Sequence, residues 1–354
     1  MFVPHSVRRV RFARTAFVLG GLLPCAALAA WAVHRHSGGH REAIRREWEQ
    51  AVGLPIAVAA VEHPLPGAVR ARGCGLAAAD GRPALAAERV DVVTSPTEVR
   101  LAVASLDCDP SGAAALAGLA AEWLERGARF RRDVVIDVAD FAWKSAGADG
   151  RPERRPLGPV RIECVAQGGD RAIRVVRRAA DEGQDEVRIV RSADAAAAGG
   201  RFDVDATCTE PVPAAILAAV APLAQLPLGP RALIRGQLTV TAAGGRQAGT
   251  AAGRFERVDL AACTGALAAG AAGTMDIDLV DATWRDGRLE SCEFTCAAGA
   301  GRIDRRLLEA LVATVGCRPG PAYVHAAVGR EADFEAFGCT VKIDGRGLDV
   351  VGSS

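Results

Sequence analysis

Ten cysteines and six histidines are the residues of this 354-residue chain best equipped for chemistry. No Cys-x-x-Cys occurs. Cys292 and Cys296 stand four apart in "CEFTC", a spacing that on a strand puts both on one face at about 13 Å, too far to share one zinc. Cys164, Cys208 and Cys339 fall in the apolar phase of alternating segments, where Cys acts as a small hydrophobe. Disulfides are the second reading for the cysteines, but the scattered spacing names no pairs. His34, His36 and His40 lie close together without a Cys or carboxylate spaced to complete a ligand set, so no metal is expected. His63 in "VEHPLPG" adjoins Glu62, but neighbours on a strand point to opposite faces. His325 in "AYVHAAV" has no sequence-adjacent partner, and neither ring is expected to do acid or base work. Gly-x-Ser-x-Gly, the Gly-x4-Gly-Lys phosphate loop and His-Glu-x-x-His are absent. The expectation is no enzyme, no cofactor and no metal.

The elements around these residues alternate with the period of β-structure. In "RFDVDATC", Phe202, Val204, Ala206 and Cys208 share one phase and Asp203, Asp205 and Thr207 the other. "PVRIEC", "QLTVTA", "TMDIDL" and "CTVKID" repeat the pattern. Such alternation marks antiparallel strands with one wet face, because parallel strands buried on both sides read as continuous apolar runs. Asp80-Gly81, Asp149-Gly150, Gly168-Gly169, Gly244-Gly245, Asp286-Gly287 and Asp344-Gly345 supply hairpin turns. Pro64, Pro66 and Gly67 should end one strand and open the next. Helical spacing appears after Ser111, read as an N-cap, for Leu116, Leu119, Trp123 and Leu124; over Ile216 to Leu226; and over Ile303 to Val315.

At the amino end, Arg8, Arg9, Arg11 and Arg14 precede the uncharged run Thr15 to Val33, which is long enough for one crossing of a bilayer core of about 30 Å. A cleaved signal peptide satisfies the same pattern, with small residues at Ala27 to Ala30; the length of the run favours an uncleaved anchor. Pro24 argues against lipidation at Cys25. The basic residues balance across the run, so orientation leans only weakly towards an inside amino end. Ile44, Trp48 and Val52 form one stripe of a linker helix that Gly53 can stop.

Half the chain is hydrophobic, and 43 basic residues, all but two of them Arg, are interleaved with 42 acidic ones for a net charge of +1. This excludes a basic nucleic-acid surface and predicts a globular chain with a core. The fold class is mainly β, an N-terminal transmembrane helix followed by a curved, mostly antiparallel sheet with a few short helices. The divisions are a basic tail at 1–14, an anchor at 15–33, a linker helix at 34–53 and a β-rich domain at 54–354, with a possible sub-division near 146–158.

The arrangement of anchor, linker helix and "GLPIAVAAVEHPLPGAVRARGCGLAAADGRPALAAERVDV" resembles the start of the AsmA-like envelope proteins. "GQLTVTAAGGRQAGTAAGRFERVDLAACTG" followed by "GTMDIDLVDATWRDGRLESCEFTCAAGAGRIDRRLLEAL" is similar to that family's strand, turn, strand, helix succession. The matching parts cover about half the chain; the middle, from Gly147 to Leu228, matches through strand alternation alone. The resemblance implies an anchor in the inner membrane, the bulk of the chain in the periplasm, and an apolar groove for phospholipid or another acyl-chain lipid. It implies no catalytic residue. The groove candidates are Phe202, Val204, Leu238, Val240, Met275, Ile277 and Leu279, since a sheet face of one apolar phase must pack on something or hold something apolar. The alternative is a scaffold with a closed core, its sheet covered by helices, that recruits envelope proteins.

Overall fold

The computed structural model describes residues 7–52, 56–65, 67–77, 83–126, 132–146, 152–167, 169–178, 183–193, 200–216, 227–265, 267, 269–315 and 331–352. It begins with a continuous helical run: α1 (Val7–Phe17), a π-helical turn (Val18–Leu22) and α2 (Leu23–Arg35). Within it, Arg14–Arg35 forms a 22-residue apolar helix buried nowhere against the rest of the protein, long enough to span a membrane. After a short turn the chain re-enters helix at α3 (Gly38–Val52).

Sixteen strands then form one sheet, laid down almost in chain order. The first half comprises β1 (Ile56–Glu62), β2 (Ala68–Ala77), β3 (Pro83–Thr94), β4 (Glu98–Val103) and β5 (Leu106–Cys108). It continues with β6 (Asp133–Ala146), β7 (Pro152–Gln167), β8 (Asp170–Arg178) and β9 (Gln184–Ser192). The second half comprises β10 (Arg201–Pro213), β11 (Leu233–Ala243), β12 (Arg246–Asp259), β14 (Thr274–Arg285), β15 (Arg288–Ala298), β18 (Phe337–Asp344) and β19 (Gly347–Gly352). A smaller sheet is built from β13 (Ala271–Ala272), β16 (Gly301–Asp304) and β17 (Glu331–Phe334). The large sheet is curved and antiparallel except where β4 and β5 both run parallel to β6. Parallel neighbours need a crossover, and α4 (Pro110–Arg126) supplies it.

That crossover helix makes the core of the first half. Ala113 and Leu116 of α4 pack with Leu85, Cys108, Trp143 and Leu157, while Trp123 and Leu124 about two turns on pack with Ile162, Cys164, Ile173, Val175 and Ile189. Its cap is Asp109, whose carboxylate accepts from the Gly112 backbone N–H at 2.7 Å; Ser111, the residue expected to cap, donates its hydroxyl to that same carboxylate. Pro110 occupies the first helical position, where a missing N–H costs nothing, and so moves the cap one residue upstream of it. Likewise Ile303 ends a strand and the following helix, α6, runs Arg305–Val315, with Asp304 accepting from the Arg306 N–H at 2.8 Å. A five-residue helix, α5 (Leu260–Thr264), follows β12. The expected helix at Ile216 to Leu226 and the turns at Asp80-Gly81, Asp149-Gly150 and Gly168-Gly169 lie wholly or partly outside the described residues, as does His325.

One edge of the sheet is capped. The Arg41 guanidinium donates to the Ala59 carbonyl at 2.9 Å and the Glu49 carboxylate accepts from the Ile56 N–H at 3.0 Å, so α3 satisfies groups that the edge strand β1 would otherwise leave bare.

Candidate functional site: the apolar face of the second half

Strand register, not sequence proximity, assembles this site. Val204 on β10 pairs with Val240 on β11, which pairs with Gly249 on β12, which pairs with Trp284 on β14. One pleat along, Ala206, Leu238, Ala251, Ala282, Cys292 and Ile343 form a second row, continued by Leu348 on β19. A third row runs Cys208, Gly236, Gly253, Leu279, Phe294, Val341. A fourth joins Val212, Ile234, Phe255, Ile277, Cys296 and Cys339. Directly paired residues project to one face, so six of the seven groove candidates, Val204, Leu238, Val240, Ile277, Leu279 and Phe202, share one apolar surface. Met275, two residues before Ile277 and opposite Val258 and Ala298, extends it.

All seven are half-buried. Phe202 stands at the boundary, packed against the Trp123, Leu124 and Ile173 cluster under α4. Beyond β10 no described helix plays the part that α4 plays in the first half: α5 packs on β12 and β13, and α6 on β16.

The opposite face is mostly polar, with Ala252, Ala297 and Val351 among its members. Thr239 and Thr250 hydroxyls meet at 2.7 Å, Thr283 and Ser291 at 2.6 Å, and Thr295 and Thr340 at 3.2 Å. Arg254 donates to Asp276 at 2.9 Å and Lys342 lies 3.3 Å from Glu293. These are cross-strand pairs in the expected wet phase, and they mark the other face as the main apolar surface of these strands.

The third row is also where the sheet bends. β10 carries a register shift between Cys208 and Val212, β12 against β14 one between Ala251 and Gly253, and β14 against β15 one between Leu279 and Asp281. Bulges bend a strand and increase its twist; the last two shifts are one bulge in β14 seen from both neighbours, so a bulge on either side of the third row makes a crease. The paired Gly236 and Gly253 sit on it with φ of 144° and 157°; a Cβ at either would fall 2.2 or 2.3 Å from a backbone oxygen of the facing strand. A shallow cleft of about 370 Å³ lies on the crease, lined by Cys208, Gly236, Gly253 and Leu279 together with Arg235, Arg254, Asp278 and Val280. A second of about 510 Å³ lies at the turn end, beside Phe202, Ala242 and Gln247.

Trp284, Phe255 and Phe294 are part of this surface and were not among the expected residues. Trp284 lies over Gly249, where an added Cβ would come 2.2 Å from its ring. Its phase is hidden in "DLVDATWR" because the bulge at 279–281 slips the alternation by one residue. Phe255 and Phe294 could have been found by extending the period-2 count through "GRFERV" and "CEFTC".

Burial holds several thiols of the sheet protonated, whereas the contact with Cys296 lowers the Cys339 thiol. Burial pushes the Cys208 thiol up to about 12, and in the first half Cys164 and Cys74 to about 11 and Cys108 to about 12. Protonated thiols are poor nucleophiles, so these cysteines serve as apolar packing. Among the described residues no group of three His, Cys, Asp or Glu is placed to hold a metal. His63 does have a partner: its Nε2 lies 2.8 Å from His40 Nε2, and His40 also faces the His34 ring at 5.5 Å. This partner is invisible to sequence proximity because His40 is on α3 and comes near only when that helix docks against β1. Comparisons with protein-family models, with curated proteins and with solved structures find no match to this chain.

Proposed function

We propose that this chain is a membrane-anchored, non-enzymatic envelope protein that holds the acyl chain of a phospholipid or similar lipid along the apolar face of β10 to β18. The observation that supports this reading is a contrast within one sheet: the same apolar phase packs under α4 in the first half, whereas in the second the seven candidates stay half-buried with no described helix over them, small side chains such as Ala282, Cys292, Cys296 and Cys339 being buried among them. From the row of Phe202 to that of Cys208 is six residues of strand, about 20 Å. One leaflet of a bilayer core is about 15 Å deep, so the face is long enough for a single acyl chain lying along the strands. The apolar Arg14–Arg35 helix supports anchorage beside a lipid source. Placement in the inner membrane with the bulk of the chain in the periplasm, and kinship with AsmA-like proteins, belong to the same proposal and rest on the arrangement of anchor, linker helix and hairpins.

The test is lipid mass spectrometry on the full chain purified in mild detergent. Acyl lipid retained in near-stoichiometric amount through extensive washing is expected. Lipid-free protein that crosslinks instead to envelope proteins would replace this reading with the scaffold.

A further inference from the structure

Cys296 and Cys339 are direct partners across β15 and β18. They are both buried and both free, and they are the one pair of cysteines in direct register among the described strands. Directly opposed residues of an antiparallel pair have Cβ atoms about 4.5–5.5 Å apart, close to the separation a disulfide needs. Their place in the fold gives a bond there a consequence. Between β15 and β18 the chain leaves the large sheet for an excursion that holds β16, α6 and β17, and the pairs Ala298 with Phe337, Ala297 with Gly338 and Cys296 with Cys339 close its root. We propose that Cys296 and Cys339 form a disulfide that staples this root and fixes the far strands of the apolar face.

The bond forms by exchange with a disulfide-bearing oxidant, either a small disulfide or a thiol-disulfide exchange protein. The Cys339 thiolate attacks one sulfur of the oxidant and expels the other as a thiolate, leaving a mixed disulfide. The Cys296 thiolate then attacks the Cys339 sulfur and expels the second. Two protein thiols lose two electrons and two protons, and the oxidant's disulfide is reduced to two thiols. The order follows from the thiol contact: hydrogen bonding between the two lowers Cys339 and raises Cys296, so Cys339 ionises first.

The experiment uses the full chain in mild detergent, reduced and then freed of reductant. It is incubated with oxidised glutathione at a urea concentration at which iodoacetamide labels both cysteines, which establishes access. After quenching, alkylation and proteolysis, mass spectrometry is expected to find the Cys296 and Cys339 peptides joined and both sites protected from label. Closing a loop of about forty residues should raise the melting temperature of the oxidised form by about 5–10 °C over the reduced form. In Cys339→Ser that gap should vanish and Cys296 should end as a glutathione mixed disulfide. Free or singly glutathionylated Cys296 and Cys339 in the wild type, links to other cysteines in equal yield, or equal melting of oxidised and reduced wild type would each overturn the staple.

Discussion

Val240 is the residue at which an open face and a closed core predict opposite outcomes. It pairs with Val204 and Gly249 and is half-buried. On a face that water reaches when no lipid is bound, a carboxylate there stays hydrated, so Val240→Asp should melt within a few degrees of wild type while losing acyl-chain binding. In a closed core the same charge would be buried unpaired at a cost of about several kcal/mol, comparable to a domain's margin of stability. A thermal melt beside a lipid-binding assay separates the two. The contrast at residue scale is Asp185, which is buried and bonded to Arg177, and which accepts from the Thr209 hydroxyl at 2.7 Å and its N–H at 2.6 Å. Burial alone would raise its carboxyl, but the two Thr209 bonds and Arg177 outweigh it and hold the group below the usual carboxylate range. Its stabilisation is present above the unfolded pKa and fades as pH falls through the lower folded one. Asp185→Asn removes the nearer of the two carboxylates facing buried Arg177, leaves Glu210 at 3.6 Å, and should cost about 1.5–3 kcal/mol in urea unfolding.

At the scale of elements, α3 is held to the sheet by contacts of different kinds. Ile44 is buried, Arg41 and Glu49 bond the β1 backbone, and His40 meets His63. Burial, then the charges of Arg35 and His40, lower the His63 pKa below its ordinary 6.5, with His36 adding to the shift. The folded state therefore binds this proton less readily than the unfolded state, so docking is strongest above about pH 6.5 and weakens as pH falls from there through the lowered folded value. Hydrogen-exchange protection across residues 38–52, corrected for the intrinsic exchange rate at each pH, should be several-fold lower at pH 5 than at pH 7.5, and His63→Gln should remove that difference. Equal corrected protection at both pH values would show that the histidine pair carries no docking energy. The same element-scale logic explains α4, which reaches both the Trp143 cluster and the Ile173 cluster; Trp123→Ala should cost about 3–5 kcal/mol in unfolding experiments, because both sides of its cavity are fixed by strands.

At the scale of the whole molecule, an exposed 22-residue apolar helix leads through α3 into a sheet whose β1 edge is capped. As a single-pass anchor it should remain on the mature chain, with residues after about Arg35 outside the cytoplasm. Intact-mass measurement on membrane-extracted protein should include the Thr15 to Val33 segment, and protease added to spheroplasts should digest the β-rich part. A mature chain starting near Trp31 would make the segment a signal peptide instead.

The sequence by itself determined the local facts: the apolar run at the amino end, the period-2 strands, the Gly and Asp turns, and the phase in which each of Val204, Val240 and Ile277 lies. Those signals are short-range, because side-chain alternation and turn angles are properties of a few consecutive residues. It also placed the strand break at Pro64 and Gly67, where β1 ends at Glu62 and β2 starts at Ala68. Tertiary structure alone decided which phases join into one face, that α4 packs on the first half and not the second, and that the bulges of β10 and β14 flank one row. It alone brought His40 to His63 and Cys296 to Cys339. Each of these depends on register between segments distant in the chain, and register is fixed by the summed packing of whole strands, a quantity that no local window of sequence contains.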